Sequence, residues 1–83
     1  MKILYFAWLR ERVGRGQEDI ELPAGVTNLG ELIVHLTALS PGHASAFAQG
    51  KLVRAAVNQV FADPSTPVAA SDEVAFFPPV TGG

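Results

Sequence analysis

Cysteine is absent from this sequence of 83 residues, and its absence removes several kinds of chemistry. Without a thiol the chain cannot form disulfides, bind a metal through thiolates or use a cysteine nucleophile. Any sulfur chemistry must therefore use sulfur supplied from outside the chain. Histidine is almost as scarce, since His35 and His43 are the only two and lack metal-ligand spacing. We predict no metal site and no stably bound cofactor.

A basic excess is also lacking, because 6 Lys and Arg are outnumbered by 8 Asp and Glu. Nucleic-acid-binding proteins carry a basic patch or stripe, and the scattered cations here predict no such partner. Long hydrophobic runs are missing as well: the apolar run Ile3–Leu9 is far shorter than the roughly 20 residues of a membrane-spanning helix. Charged residues follow this run, and no signal-peptide cleavage pattern is evident. We therefore expect a cytoplasmic protein without a membrane partner.

Composition and length predict one folded domain. Hydrophobic residues make up 48% of the chain and charged residues 17%, which is typical of globular proteins and not of disordered ones. A length of 83 residues is the size of a single domain. We expect one domain over residues 1–83, of which residues 78–83 form an extended C-terminal tail.

Hydrophobic periodicity predicts the element order strand, strand, helix, short helix, strand, strand. The clearest signal is an apolar stripe at helical spacing, which Thr27 or Asn28 can cap and Pro41-Gly42 can end. The stripe consists of Leu29, Leu32, Ile33, Leu36 and Leu39. This order favours an α+β fold in which one main helix packs across a mixed sheet. The predicted strands are 3–9, 17–22, 52–61 with an irregularity at 58–59, and 73–77, with a helical turn at 10–13, a short helix at 43–49 and an extended piece at 68–70.

The sequence offers no conventional active site. His35 lies between apolar helix positions and is typical of a boundary residue, and the serines lack a nucleophile-elbow pattern. Glu18, Asp19 and Glu21 are typical of a solvated strand edge. We predict no catalytic role for any of these side chains.

The end of the sequence has its own chemistry. Pro78-Pro79 fixes φ and disfavours helix, so the residues that follow leave the last strand in an extended direction. Gly82 and Gly83 have no Cβ and can enter a channel too narrow for side chains. At about 3.3–3.6 Å per residue, residues 80–83 can carry the final carboxylate roughly 13 Å beyond the diproline. This pattern indicates a carboxylate delivered into another protein's active site, although a frayed end without a role is the alternative.

Three segments of the sequence resemble one protein family. Residues 72–83 read Asp-Glu-Val-Ala-Phe-Phe-Pro-Pro-Val-Thr-Gly-Gly, residues 5–11 read Tyr-Phe-Ala-Trp-Leu-Arg-Glu, and residues 56–59 read Ala-Val-Asn-Gln. They are similar to the ending, the opening strand and the central strand of the molybdopterin synthase small subunits (the MoaD type), which are ubiquitin-like sulfur carriers. The resemblance implies a ubiquitin-like β-grasp fold, in agreement with the element order.

The resemblance also implies a chemical cycle at Gly83. A ubiquitin-activating-type enzyme would adenylate the Gly83 carboxylate with ATP, and a persulfide sulfur donor would convert it to a thiocarboxylate. The tail residues Pro79, Val80, Thr81 and Gly82 would then lead it into the large synthase subunit. There the sulfur would pass to the cyclic pyranopterin precursor to build the molybdopterin dithiolene. The isolated chain would have no active site of its own and would act in an enzyme only as the sulfur-donating subunit, with two small and two large subunits in the usual complex.

A hydrophobic partner surface is the next expectation. Consecutive residues of a strand point to opposite faces, so one of Phe76 and Phe77 can enter the core while the other lies on the open face. The alternative is that these two rings, Phe6 and Phe61 all belong to the core, because a small domain needs its large side chains there. By resemblance, Phe6, Phe61 and Phe77 match the family's contact positions. Arg10 and Lys51 are further candidates for partner contact, and ordinary solvated residues are the alternative.

Three other functions remain open at this point. A sulfur carrier for thiamine synthesis would share the fold and the activation chemistry, although the Phe-Phe-Pro-Pro ending argues against it. A ubiquitin-like protein modifier would be joined through Gly83 to lysines of target proteins. A non-covalent interaction module would have an inert tail.

Overall fold

Side chains alternate along two neighbouring strands and place their apolar groups on one face of a sheet. In the computed structural model, which describes residues 1–79, Ile3, Tyr5, Val74 and Phe76 are at most 1% exposed. Alternate residues of a strand share a face, so these four form one continuous buried surface. The strands are β1 (Lys2–Tyr5), β2 (Gln17–Asp19), β3 (Arg54–Val57), β4 (Val60–Ala62) and β5 (Glu73–Phe77), and the helices are α1 (Trp8–Val13), α2 (Leu29–Thr37), α3 (Pro41–Phe47) and a short 3₁₀ helix (Gly50–Leu52).

The five strands of the described chain form one mixed sheet in the order β2-β1-β5-β3-β4. The central strand β5 is parallel to its neighbour β1, and the other neighbouring strands are antiparallel. The pairs Tyr5–Phe76 and Arg54–Phe77 show that β5 ends beside the end of β1 and the start of β3. The residues after β5 therefore leave from the middle of one end of the sheet, which we call the tail end.

The main helix, α2, contributes the predicted apolar stripe to the core, with one exception. Leu29, Leu32 and Leu36 are buried, and Asn28 caps the helix as predicted: its Oδ1 accepts from the Glu31 N–H at 2.9 Å, and the Glu31 carboxylate accepts from the Thr27 N–H at 2.8 Å. Leu39 was predicted to extend the stripe, but α2 ends at Thr37 and Leu39 is 43% exposed. The helix covering a mixed sheet is confirmed.

Three predicted strands are wrong in extent, and the second of them ends at Asp19 instead of Leu22. The first ends at Tyr5 instead of Leu9, because Ala7 turns the chain with φ 55° and α1 begins at Trp8. A continuous apolar run does not distinguish a strand from a strand followed by a helix. The predicted strand 52–61 is a hairpin of β3 and β4, because Asn58 and Gln59 both have positive φ and form a two-residue turn.

Pro41-Gly42 starts a helix instead of only ending one, and α3 therefore begins two residues before the predicted His43. The Ser40 hydroxyl accepts from the His43 N–H at 3.1 Å, and proline is well suited to the first turn of a helix. A Cβ at Gly42 would collide with the Arg12 carbonyl at the end of α1, so glycine permits the two helices to pack closely.

The remaining expectations concern short or apolar segments. The extended piece predicted at 68–70 is not a strand: the Val68 N–H donates to the Thr27 carbonyl at 3.1 Å, beside an isolated bridge between Asn28 and Pro67. No helix within residues 1–79 combines the length and the apolar composition needed to cross a membrane.

Candidate functional site

Exposed aromatic rings lie on the face of the sheet that the helices leave open. Phe61 is 79% exposed and Phe6 is 49% exposed, whereas Phe77 is half-buried. The rings of Phe61 and Phe77 are 5.9 Å apart between centroids. The Phe6 N–H donates to the Phe76 carbonyl at 3.1 Å, which holds Phe6 beside the end of β5. We call Phe6, Phe61 and Phe77 the aromatic patch.

The alternative that all four phenylalanines belong to the core is wrong. Of Phe6, Phe61, Phe76 and Phe77, only Phe76 is buried, at 0% exposure. Its ring stacks on Tyr5 with centroids 6.0 Å apart and meets the edge of Phe47 at 4.9 Å. The three rings of the patch are left available to another protein, and exposed aromatic clusters of this kind mark interfaces.

The aromatic patch adjoins the point where the tail leaves the sheet. Pro78 and Pro79 are half-buried, and Pro79 joins Arg54, Phe61 and Phe77 in lining an open cavity of about 420 Å³. The predicted tail residues Val80, Thr81, Gly82 and Gly83 lie outside the described residues, so their predicted roles stay predictions.

Both predicted partner-contacting cations lie at the tail end. Arg10 is exposed on α1 and lines a shallow cavity with Phe6 and Ala7. Lys51 is exposed in the 3₁₀ helix, and its carbonyl accepts from the Arg54 Nη1 at 3.2 Å. Sequence reasoning overlooked Arg54, which pairs with Phe77 across the sheet. The available signal was strand alternation. Arg54 lies in the predicted strand 52–61, two residues before Ala56, and alternate residues of a strand share a face.

A buried polar chain on the covered side of the sheet was also missed. Glu18 was predicted to lie at a solvated edge, but its side chain is only 10% exposed. Its Oε2 accepts from the Tyr5 hydroxyl at 2.7 Å and lies 2.7 Å from the His43 Nε2. The Ser40 Oγ lies 2.7 Å from the His43 Nδ1, and the guanidinium of Arg15 lies 3.9 Å from the other Glu18 oxygen.

The chemistry of the side chains determines which atoms donate and which accept in this chain of hydrogen bonds. A carboxylate can only accept, so the His43 Nε2 carries the proton that faces Glu18. Burial alone would raise the pKa of Glu18, but the hydrogen bonds from His43 and Tyr5 outweigh it and hold this pKa below its usual value. Burial and the Glu18 hydrogen bond raise the pKa of Tyr5 far above its usual value. These side chains tie α3 to β1 and β2 and have a structural role.

Within residues 1–79, no group of three or more histidine, aspartate and glutamate side chains is arranged to hold a metal ion. What the described residues offer is an exposed surface, composed of the aromatic patch and its neighbouring cations, beside the end of β5. Such a surface can recognise a partner and orient the tail toward it.

Comparison with known proteins identifies relatives over nearly the whole chain. The model of the ThiS family matches residues 3–83. The molybdopterin synthase sulfur carrier subunit of Escherichia coli (strain K12) is 45% identical over 83 residues, which cover 100% of this chain and 99% of that protein.

Two solved structures share the architecture described above. The putative molybdopterin converting factor, subunit 1, of Pyrococcus furiosus has a TM-score of 0.78 and 30% identity, covering 95% of both chains. The small archaeal modifier protein 1 of H. volcanii has a TM-score of 0.75 and 25% identity, covering 96% of this chain and 97% of that one. The predicted ubiquitin-like β-grasp fold is confirmed.

Proposed function

The chain belongs to the ThiS family, and from that premise we propose that it is the sulfur carrier subunit of a molybdopterin synthase, with the Gly83 carboxylate as its working group. The observation that carries this proposal is the 45% identity to the E. coli sulfur carrier subunit along the entire chain. The family match also extends through Gly83. The geometry supports the same function, because β5 ends in the middle of one sheet end beside an exposed aromatic patch.

Activation of Gly83 is the first step. A terminal carboxylate is ionised at neutral pH and is a poor acyl donor, so it needs a leaving group. One carboxylate oxygen attacks the α-phosphorus of ATP in an adenylating enzyme of the ubiquitin-activating type, and pyrophosphate leaves. The product is a glycyl adenylate, and the chain has no cysteine that could intercept it.

Sulfur transfer follows in two stages. The terminal sulfur of a persulfide donor attacks the glycyl carbonyl and displaces AMP, and a thiol then cleaves the sulfur–sulfur bond to leave a thiocarboxylate on Gly83. The tail from Pro79 to Gly82 next enters the large synthase subunit. There the thiocarboxylate sulfur bonds to the cyclic pyranopterin precursor, and water then cleaves the bond between the sulfur and the glycyl carbonyl, which restores the Gly83 carboxylate. The aromatic patch holds the two subunits together meanwhile.

Mass spectrometry tests the proposal directly. Incubated with the adenylating enzyme, ATP and a persulfide donor, the protein should gain the mass of one oxygen-to-sulfur exchange, localised to Gly83. Deleting Gly83, or adding one residue after it, should abolish pterin sulfuration and leave stability nearly unchanged. Pterin sulfuration by the extended protein, without trimming back to Gly83, would show that the mechanism is wrong.

A matched pair of glycine substitutions distinguishes an effect on the tail from a general effect of adding a side chain to the protein. Gly82→Val should be nearly as damaging as the deletion, because a branched side chain stiffens the backbone and fills a narrow channel. Gly50→Val is the control, because Gly50 is exposed and an added Cβ there meets no atom within 4 Å. Equal loss of sulfur transfer in both variants would argue against a channel that accepts only glycine.

A protein modifier is the second candidate function. It is favoured by the likeness to a solved structure named as a small archaeal modifier protein. Conjugates linked through Gly83 to lysines of other proteins, found in cell extract by mass spectrometry, would establish it. A non-covalent module would instead keep its function after Gly83 is deleted.

A further inference from the structure

Charged side chains are distributed unevenly between the two ends of the sheet. Four of the six basic residues of the chain lie at the tail end. At the opposite end, Lys2 lies opposite Glu73 in the register with β5 and opposite Asp19 in the register with β2. The tail-end cations are Arg10, Arg15, Lys51 and Arg54, with the carboxylates Glu11 and Asp63 nearby, whereas the far end holds Asp19, Glu21, Asp72 and Glu73 against Lys2 and the Met1 ammonium.

The register of the strands fixes two of these cations on one side of the tail exit. Arg54 is opposite Phe77, the last residue of β5, and lines the cavity that Pro79 shares with Phe61. The Arg54 guanidinium donates to the carbonyl of Lys51 at 3.2 Å. Lys51 and Arg54 therefore stand together beside the β3 side of the exit.

The other two cations stand on the β1 side. The Tyr5 N–H donates to the Gly16 carbonyl at 2.9 Å, which brings Arg15 to the end of β1. Arg10 lines one cavity with Phe6 and another with Arg15. The aromatic patch is thus bordered by cations on both sides, and we call Arg10, Arg15, Lys51 and Arg54 the basic collar.

The collar has little internal neutralisation. Within residues 1–79, its single ion pair joins Arg15 to Glu18 at 3.9 Å. Arg54 donates to backbone carbonyls, which carry no formal charge. The nearby Asp63 carboxylate accepts from the Ser65 N–H at 2.8 Å, so it is directed into its own turn. The charge of the collar remains available to a partner.

We propose that the basic collar steers the protein, tail first, onto an acidic rim around the opening through which its adenylating enzyme admits the tail; this inference rests on the proposed function. The protein carries a formal net charge of −2, and it must bring a carboxylate to a site that binds the phosphates of ATP. Such a rim would repel the acidic far end. A cationic leading end reverses that interaction, and such steering raises association rates by roughly 10- to 1,000-fold.

The only two lysines of the chain provide a matched test. Lys51→Glu and Lys2→Glu change the net charge equally, and both side chains are exposed, but one lies in the collar and the other at the far end. A fluorophore on Ser71→Cys, a unique thiol at the far end, reports association with the adenylating enzyme in stopped flow. Lys51→Glu should slow association about three- to tenfold at low ionic strength, and Lys2→Glu should change it less than twofold.

Salt and a second collar variant complete the test. The difference between the two lysine variants should vanish at 1 M salt, where the Debye length is about 3 Å. Arg10→Glu should reproduce the slow association from the other side of the patch. Circular dichroism and thermal unfolding verify that each variant remains folded.

Several results would overturn the inference. Equal slowing by Lys51→Glu and Lys2→Glu would assign the effect to net charge alone, and unchanged association in both would remove the steering. A salt effect confined to the large synthase subunit would assign the collar to a different partner. Failure of the proposed function is separate, because it shows as wild-type Gly83 that gains no sulfur. A normal mass gain with salt-independent association would refute the collar only.

Discussion

Two neighbouring aromatic residues, Phe76 and Phe77, differ in exposure because they lie on opposite faces of the sheet. On the covered face, Phe76 has no exposed surface and contacts the rings of Tyr5 and Phe47. On the open face, Phe77 is half-buried and contacts Phe61, which is largely exposed. The comparison shows how a domain of this size assigns alternate positions of one strand to stability and to recognition.

Polar groups follow the same division. The covered side contains the Glu18–His43 chain, and no buried side-chain polar atom among residues 1–79 lacks a hydrogen-bond partner. A satisfied buried network fixes one arrangement of its elements. The open face instead presents aromatic rings and guanidinium groups, which are the side chains that dominate protein interfaces.

Truncating the two adjacent rings gives the largest expected contrast. Phe76→Ala should lower the free energy of unfolding by about 3–5 kcal/mol, because it opens a cavity in the core. That is a large share of the roughly 5–15 kcal/mol that stabilises a typical domain. Phe77→Ala should cost about 1 kcal/mol, since its ring is only partly removed from water. Urea denaturation of both variants measures the difference.

Binding should show the reverse order. Phe77→Ala should weaken association with the large synthase subunit by about 2 kcal/mol, the cost of truncating an interface anchor. Calorimetry on the folded variant measures this loss. If Phe76→Ala and Phe77→Ala destabilise the domain equally, the separation of the two faces is contradicted. If Phe77→Ala binds normally, the assignment of the patch is wrong.

Short-range patterns account for what the sequence could predict. The opposite orientation of Phe76 and Phe77 follows from the period of a strand, and the burial of Leu32 and Leu36 follows from the period of a helix. The predicted Asn28 cap of α2 depends on residues only three or four positions apart. The role of the Gly83 carboxylate was predicted from its place at the end of the sequence. Gly83 lies outside the described residues, so this role stays a prediction.

Long-range pairing and backbone reversals account for what the sequence could not predict. Glu18 and His43 are 25 residues apart, and neither has a local signal for the other. The turn at Asn58 and Gln59 divides an apparently continuous strand, although Asn-Gln is a weaker turn signal than Asn-Gly. At Ala7, nothing in the residue type indicates a positive φ.

The Glu18 carboxylate on the covered side should have a smaller effect on stability, and this effect should depend on pH. Glu18→Gln should lower the free energy of unfolding at pH 7 by about 1–3 kcal/mol, because it weakens charge-assisted hydrogen bonds from Tyr5 and His43. The pKa of Glu18 is lower in the folded protein than in the unfolded chain. Its stabilisation is therefore complete above the unfolded pKa and is lost as the pH falls through the folded pKa.

Unfolding measured as a function of pH checks this sign. The wild-type protein should lose stability on acidification through that window, whereas Glu18→Gln should lose less because the titrating group has been removed. Asp19→Asn is the control on the same strand, since Asp19 is exposed and points to the other face. An acid profile of Glu18→Gln that runs parallel to that of the wild type would show that Glu18 is not the group responsible.

The smallest predicted effect concerns Ala7, which lies between Phe6, just after the end of β1, and the first residue of α1. Ala7 has φ 55° and ψ −133°, a region that costs a non-glycine residue about 1–3 kcal/mol. Ala7→Gly relieves this strain but adds freedom to the unfolded chain, at a cost of roughly 0.5–1 kcal/mol. The net expectation is a gain of about 1 kcal/mol in the free energy of unfolding. Ala48→Gly is the matched control, because Ala48 is exposed with an ordinary φ of −62° and should lose stability. If both substitutions destabilise the protein alike, Ala7 stores no strain and the turn that presents Phe6 is set by packing alone.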